Sequence, residues 1–510
     1  MRTRLLAPCA GLVSGVFALG LAEVIAGVVS PASAPVIALG DVVVANVPPW
    51  LKDFAISAFG THDKQVLLGT AYLIAAALSA LAGVLTVRGR GAGIWLVLGL
   101  GTLAALAAAT RPEASLLSAL PSLLGAAAGM FVLTHLARAI REHAAAAPRT
   151  VAGELAGRRA VLGLGAVLAL GVAAGGLGNW LGARLRGAQS SREALTLPTP
   201  ADPAPALPSG VEVGVDGMEP FLTPNADFYR IDTALSVPLL TAEDWSLRIH
   251  GLVDREVTLT WDQLVAGDLV ERDLTLMCVS NEVGGDLTST ARWIGLPVKP
   301  LLERAGVGAD ADMVLSKSSD GWTASTPLET LTDGRDAILA IGMNGEPLPL
   351  EHGFPVRMVV PGLYGYVSAT KWVVDLEVTR FDRAQGYWTP RGWSERGPVK
   401  TGSRIDVPAN GETVDGGKTV LAGVAWAEHR GIGKVEVRIG EGAWQEATLG
   451  TEDTVDTWRQ WYLPWSGAPA GRHTVQVRAT DGDGAVQTAD VAPPAPDGAT
   501  GWHTIQVTVG

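Results

Sequence analysis

The sequence predicts a multidomain chain: an N-terminal bundle of about five transmembrane helices, an α+β domain, and a C-terminal β-sandwich of immunoglobulin type. Three observations carry this. Residues 1–180 are rich in Ala, Leu, Gly and Val and nearly free of charge. Residues 216–385 mix alternating, strand-like runs with helix-start signals. Residues 386–510 alternate at period two between Gly/Asp turns. A chain of 510 residues is too long for one domain. Its net charge of -12 argues against nucleic acid as a partner.

Five apolar stretches approach the roughly 20 residues that cross a bilayer: 9–29, 66–86, 93–109, 117–137 and 160–179. Val36 to Phe59 is interrupted by Asp41, Pro48, Pro49, Lys52 and Asp53, and reads as a surface or re-entrant segment. Arg2, Arg4, Arg88, Arg90, Arg138, Arg141, Arg149, Arg158 and Arg159 fall on one side of these stretches. The opposite loops hold Lys52, Lys64 and Arg111. Basic residues mark the cytoplasmic side, so the N-terminus is expected there and everything after residue 180 outside the cytoplasm. His135 and Glu23 are the polar residues to note within the spans. No paired histidines suggest haem. Arg158-Arg159-Ala-Val-Leu162, just before the fifth span, fits either a twin-arginine export signal or ordinary topology-setting charge.

Residues 181–215 carry Pro198, Pro200, Pro203, Pro205 and Pro208 and read as a semi-rigid linker. Beyond it, residues 245–251 alternate as a strand, Thr260 caps a helix start, and Val356–Val360 reads as a buried strand. Runs at 420–426, 434–439, 473–478 and 502–508 supply the sandwich strands, without the immunoglobulin disulfide.

Only two cysteines occur, and Cys9 lies in the first span, so Cys278 has no disulfide partner in reach. A lone thiol is a buried small residue, a nucleophile with a base beside it, or a soft metal ligand. The residues around it leave all three open.

The run Leu274-Thr-Leu-Met-Cys278-Val-Ser-Asn281 is followed by Met343-Asn-Gly, by His352-Gly-Phe-Pro-Val-Arg357, by Pro361-Gly-Leu-Tyr-Gly365 and by Ser368-Ala-Thr-Lys371-Trp372. With Phe228-Tyr229-Arg230-Ile-Asp232, these runs resemble, in order, the sulfite oxidase family of molybdopterin enzymes. The likeness covers about residues 220–510 and implies a molybdenum–molybdopterin cofactor with Cys278 as the thiolate on the metal. It implies cofactor contacts from His352, Arg357 and Lys371, from the backbone around Ser368 and Thr370, from Tyr229, Arg230 and Asp232, and from Asp320, with Asn281 bracing the site. It also implies a homodimer through the C-terminal domain.

Sulfite-oxidising members follow the cysteine with Gly-Asn-Arg-Arg, where this chain has Ser280-Asn281-Glu282-Val283. They also place a tyrosine before Met-Asn-Gly, where Ile341-Gly342 stands. A dianion needs fixed positive charge, so a small-molecule substrate other than sulfite is expected, unless Arg292 or Arg430 supplies the charge. The chain has no Cys-x-x-Cys-His for haem attachment, so electrons should leave through a separate carrier, a quinone or a cytochrome, or through the membrane half. A competing reading is a non-catalytic membrane receptor whose outer half is a β-rich binding module.

Overall fold

The computed structural model describes the chain except residues 1, 49, 50, 52, 53, 55–57, 60, 61, 90, 112, 113, 146–150, 186, 416–418 and 468, and the side chains of 2–5, 143–145, 151–161 and 183–185. Arg90, Arg149, Lys52, Asp53, and the side chains of Arg2, Arg4, Arg158 and Arg159 therefore lie outside the described residues. The chain forms two compact units: Met1–Gln189 with Thr233–Leu239, and Ser190–Asp232 with Leu240–Gly510.

The first unit is helical: α1 (Arg2–Val29), α2 (Pro35–Asn46), α3 (Asp63–Val87), α4 (Ala92–Ala109), α5 (Leu120–Ala145) and α6 (Val151–Leu185). Among the described residues, five helices are long and apolar enough to cross a membrane. The start of the interrupted segment, Val36 onward, forms the short helix α2. The helix α1 packs against α3, α5 and α6. A Cβ at Gly20 would strike the Gly171 carbonyl, and one at Gly83 that of Ala7. Small residues bring these backbones together, the usual device where lipid removes the hydrophobic drive between helices.

The second unit is β-rich. Its first part holds β1 (Ser246–Gly251), β2 (Val257–Thr260), β3 (Val270–Met277), β4 (Thr288–Pro297), β5 (Met313–Ser318), β6 (Thr323–Pro327), β7 (Ile338–Met343), β8 (Glu346–Pro347), β9 (Arg357–Val359) and β10 (Val373–Thr379). One sheet runs β2-β1-β10-β5-β6, the other β3-β4-β7-β8 with β9 paired to β7. Alternation in β1 buries Leu247 and Ile249 and exposes Ser246 and Arg248. Thr260 closes a capping box with Gln263 on the helix Trp261–Val265.

Residues 195–215 run in contact with this part. Ala201 N–H donates to Leu269 O at 2.8 Å, Ala204 N–H to Glu271 at 3.1 Å, and Val211 is buried.

The C-terminal part holds β11 (Gly402–Val407), β12 (Thr413–Val414), β13 (Thr419–Trp426), β14 (Ile432–Ile439), β15 (Gln445–Glu446), β16 (Thr448–Leu449), β17 (Arg459–Trp465), β18 (Gly471–Asp481) and β19 (His503–Val509). Sheets β11-β13-β17-β16 and β12-β19-β18-β14-β15 enclose a core of Leu421, Trp461, Val435, Val475 and Ile505. The central strand β13 is buried on both faces. Leu421 and Ala425 join the sandwich core, whereas Val424 and Trp426 join a second cluster with Met277, Val279 and Tyr364. Period-two geometry thus makes one strand serve two cores. The second core places the sandwich against the residues that flank Cys278.

Candidate active site

Cys278 follows β3 directly. Its N–H donates to Leu287 O at 2.9 Å, and its carbonyl accepts from Asn281 N–H at 3.1 Å. The Asn281 side chain closes the same loop, its Oδ1 accepting from Leu287 N–H at 2.9 Å. From the sandwich, Arg404 Nη1 donates to Gly285 O at 3.0 Å. Gly284, at φ +82°, has the His503 ring where a Cβ would stand. The left-handed turn and the close approach both require glycine here.

The thiol is 8% exposed. Burial pushes it above the usual cysteine range, while hydrogen bonds from Ser280 and the charge of Lys371 act in the opposite direction. Such a thiol is a poor free nucleophile, because the thiolate is the reactive form. A soft cation that binds the thiolate reverses this.

Beside the cysteine lies a buried cationic wall. Arg357, on β9 and 4% exposed, donates to His352 O at 3.1 Å and lies over Trp293 at 5.2 Å. Among the described residues no carboxylate pairs with it, and burial pushes it down to about 10. Lys371 donates to Asp232 Oδ2 at 3.1 Å and to Glu351 O at 2.9 Å. Burial pushes it down to about 8, with Asp232 opposing. Trp372 sits at φ +50°, which a bulky residue rarely adopts. Its indole holds Leu350 O at 3.0 Å and fixes the chain beside Lys371.

His352 is fully buried, with Nε2 3.3 Å from Asn225 O. A carbonyl only accepts, so Nε2 carries the hydrogen and Nδ1 is a bare acceptor. That Nδ1 is buried and has no partner. Burial, then Lys371 and Arg357, push the imidazole down to about 3, so it is neutral.

Asp232 also receives Arg230 Nε at 3.1 Å. The Tyr229 hydroxyl is pushed far up by burial and then by the Cys278 charge. A Cβ on Gly365 would lie 3.6 Å from that hydroxyl and 3.7 Å from Met277 O, so the helix Gly365–Ser368 closes around the cysteine.

The side chains of Ser368, Thr370 and Asp320 have partners within the chain, which leaves the backbone at 368–370 as the expected contact there. Ser368 Oγ donates to the carbonyls of Leu363 and Tyr364, at 3.1 and 3.0 Å. Thr370 Oγ1 pairs with Ser316 Oγ at 2.7 Å. Asp320 Oδ1 accepts from Trp322 N–H at 3.0 Å and shapes the β5–β6 turn.

A cavity of about 430 Å³ opens beside the cysteine loop, lined by Asn281, Glu282, Tyr364, Lys400, Trp426 and Arg430 among others. The last three belong to the C-terminal part; the sequence named Arg430 as a possible source of positive charge, whereas Lys400 and Trp426 were missed, because only the folded chain brings them to the loop that follows Cys278.

Residues 234–388 match the oxidoreductase molybdopterin binding domain family. Human mitochondrial sulfite oxidase is 30% identical over 328 residues, 54% of this chain and 59% of that protein. The uncharacterized oxidoreductase YuiH of Bacillus subtilis is 34% identical over 153 residues, 30% of this chain and 74% of that one. Nitrate reductase [NADH] 2 of Phaseolus vulgaris is 33% identical over 187 residues, 31% of this chain and 21% of that one. The chain thus spans about 59% of the length of the human sulfite oxidase it matches.

The residues fit the cofactor this family carries. Arg357, a buried guanidinium without a carboxylate, and the unpartnered Nδ1 of His352 await an anion and a donor. A pterin with its phosphate offers both. Geometry, family model and relatives agree that the chain belongs to the sulfite oxidase family of molybdopterin-dependent oxidoreductases.

Proposed function

We propose that the chain is a membrane-anchored oxidoreductase whose catalytic half lies outside the cytoplasm and transfers an oxygen atom to or from a small substrate other than sulfite. The five apolar helices and the one-sided arginines support the anchoring and the orientation. Two facing sheets support an immunoglobulin-type, dimerisation-type reading of the C-terminal part.

One observation carries the substrate reading: the basic side chains lining the cavity are already neutralised. Arg430 pairs with Asp481 at 3.1 Å, and Lys400 with Asp497 at 2.8 Å. Arg292, the other cation able to serve sulfite, pairs with Asp273 at 2.6 Å. Glu282 adds negative charge to the lining. A sulfite dianion would meet no unpaired positive charge there, whereas a neutral or cationic oxygen donor or acceptor is tolerated.

When bound, the molybdenum cofactor supplies the two-electron centre for oxygen transfer. The chain supplies the rest. Cys278 would hold the metal, and Asn281 fixes the loop that presents it. Arg357, Lys371 and His352 would hold the cofactor's charged and hydrogen-bonding periphery. Tyr229 stays un-ionised and offers a donor hydroxyl. Electrons exchange with a separate carrier, a cytochrome-type protein or a quinone.

The test uses the detergent-purified full chain. Molybdenum and pterin are quantified per chain, then turnover is compared across sulfite, nitrate, sulfoxides and N-oxides with artificial electron carriers. Sulfite as the preferred substrate would overturn the substrate reading.

A further inference from the structure

The turn after β13, residues 427–431, carries a group that no part of the site so far uses. Glu428 is 1% exposed, and neither carboxyl oxygen has a hydrogen-bond partner. A carboxyl sealed in this way is costly unless it serves something. The turn abuts the catalytic part: a Cβ on Gly362 would lie 3.1 Å from His429 Cβ and 3.5 Å from Glu428 O. The adjoining loop abuts it too, with Thr275 N–H donating to Asp456 O at 3.0 Å and Trp458 N–H to Thr275 Oγ1 at 2.7 Å.

The groups facing Glu428 are charged or acidic on both sides. Inward, its charge acts on the buried hydroxyls of Tyr229 and Tyr364, which also feel Cys278. Outward lie Asp456 and Arg430. Asp456 in turn pairs with His429 Nδ1 at 3.3 Å, and the His429 side chain is 40% exposed. Arg335 and Asp336 act on Asp456 from the catalytic part. His429 itself is held at φ +66°, a left-handed backbone uncommon for any residue but glycine. Such outliers persist where the surroundings enforce them, often at functional sites. Here the turn sends Glu428 inward, Arg430 to the cavity and His429 to solvent.

We propose that Glu428 is the proton-relay residue of this enzyme, carrying protons between the Cys278 pocket and the solvent-facing Asp456–His429 pair. The inference rests on the oxygen-transfer reading above. That chemistry balances as X + H2O = XO + 2 H+ + 2 e−, run in either direction. The electrons exchange with an external one-electron carrier protein. The two protons must be exchanged with solvent, one at a time, and the buried Glu428 offers a route through the wall on the sandwich side, apart from the cavity that admits substrate. An O–H bond forms on one Glu428 oxygen as a proton leaves the pocket, and breaks as the proton passes to Asp456. Reduction of XO uses the same steps reversed. Burial, then Asp456, raise Glu428 to about 8, with the residue's own backbone N–H, then Arg430, opposing. Both protonation states are therefore within reach near neutral pH, as a relay requires.

The test follows proton uptake by a pH indicator when the full-length holoenzyme is reduced by reduced methyl viologen, a one-electron donor that releases no protons. Wild type should take up protons promptly. Glu428→Gln should slow uptake roughly 100-fold, the scale for one positioned proton-transfer group, at equal molybdenum content. His429→Asn lies at the surface, and asparagine tolerates the left-handed backbone. It should slow uptake too, and added imidazole should restore the rate. Infrared spectroscopy of the cofactor-free protein gives a readout independent of turnover: an un-ionised carboxyl band that Glu428→Gln removes. Proton uptake at the wild-type rate in both variants, or no such band, would overturn the relay. A loaded enzyme that takes up no protons on reduction would overturn the oxygen-transfer reading instead.

Discussion

Arg404 of the C-terminal part donates to the carbonyl of Gly285 at 3.0 Å, seven residues beyond Cys278. The guanidinium also pairs with Asp406 and Glu219 and is almost fully buried. The sandwich therefore acts as a clamp on the loop that presents the cysteine. Arg404→Met would leave Asp406 buried without its cation. Breaking such a pair costs about 3–5 kcal/mol. The loop should loosen first, so Cys278 in cofactor-free protein should become reactive to iodoacetamide before the sheets melt. Unchanged alkylation in a folded Arg404→Met protein would show that the loop holds its shape alone.

Cys278→Ser should abolish turnover while pterin remains bound. A hydroxyl is a harder and far less acidic ligand than a thiol, and the cationic wall that holds the pterin is untouched. The comparison is made at equal molybdenum loading. Wild-type turnover there would falsify the ligand role.

Arg357→Ala and Lys371→Ala should lower cofactor occupancy rather than turnover per molybdenum. Each lost charge-assisted hydrogen bond costs about 1.5–3 kcal/mol. Pterin retention after gel filtration separates the two cases. Full retention with slow turnover would place these side chains at the substrate.

Lys371 also gives a pH signature. Its folded value, about 8, lies below the ordinary 10.5. Between these values the unfolded chain binds one more proton, so the stability this group contributes to the cofactor-free protein is full above 10.5 and lost as pH falls through about 8. Cofactor affinity should move the other way and weaken above pH 8, where the ammonium is lost. Lys371→Met should flatten both trends between pH 8 and 10, seen by denaturant titration and pterin retention. A wild-type pH dependence in that variant would assign the titration to another group.

Much of this was legible in the sequence, and what was not has a common cause. Period-two runs located β14, β18 and β19 because one face of each is the more buried, whereas β13, buried on both faces, showed as a short apolar run. The residues around Cys278, His352, Arg357 and Lys371 were visible as local motifs. Arg404, Lys400 and Glu428 were invisible as site residues because their meaning depends on segments meeting across more than thirty residues. The proline-rich stretch 195–215 reads as a spacer by composition. Its backbone donors find partners on the catalytic part, such as Leu269 O, which composition cannot reveal. Asp320, read from its motif position as a cofactor contact, also shapes the β5–β6 turn through Oδ1, a local role that the motif did not announce.

Asp497→Asn should make sulfite a better substrate. The change releases Lys400, now 2.8 Å from that carboxylate, inside the cavity. A freed ammonium attracts a dianion, and about tenfold in kcat/KM for sulfite corresponds to roughly 1.4 kcal/mol. The gain should shrink with added salt. No gain at low salt would mean that charge in the cavity does not govern substrate choice.

Arg158 and Arg159 precede the apolar stretch Leu162–Gly182, and the choice between topology and export turns on timing. The molybdenum cofactor of this enzyme class is assembled in the cytoplasm, as the family resemblance implies. On the proposed orientation, a catalytic part whose cofactor would sit among buried side chains such as Arg357 and His352 would have to fold around it before crossing. The first four spans can insert during synthesis, but the fifth must wait for a loaded domain. The paired arginines stand where that wait would be signalled. Arg158→Lys with Arg159→Lys separates the two roles, because topology counts only charge. A folded-export signal predicts that the double variant strands the C-terminal half in the cytoplasm while the first four spans still insert. Protease added to intact spheroplasts reads the outcome directly. Cleavage of the C-terminal half at the wild-type rate would leave these arginines as topology determinants alone.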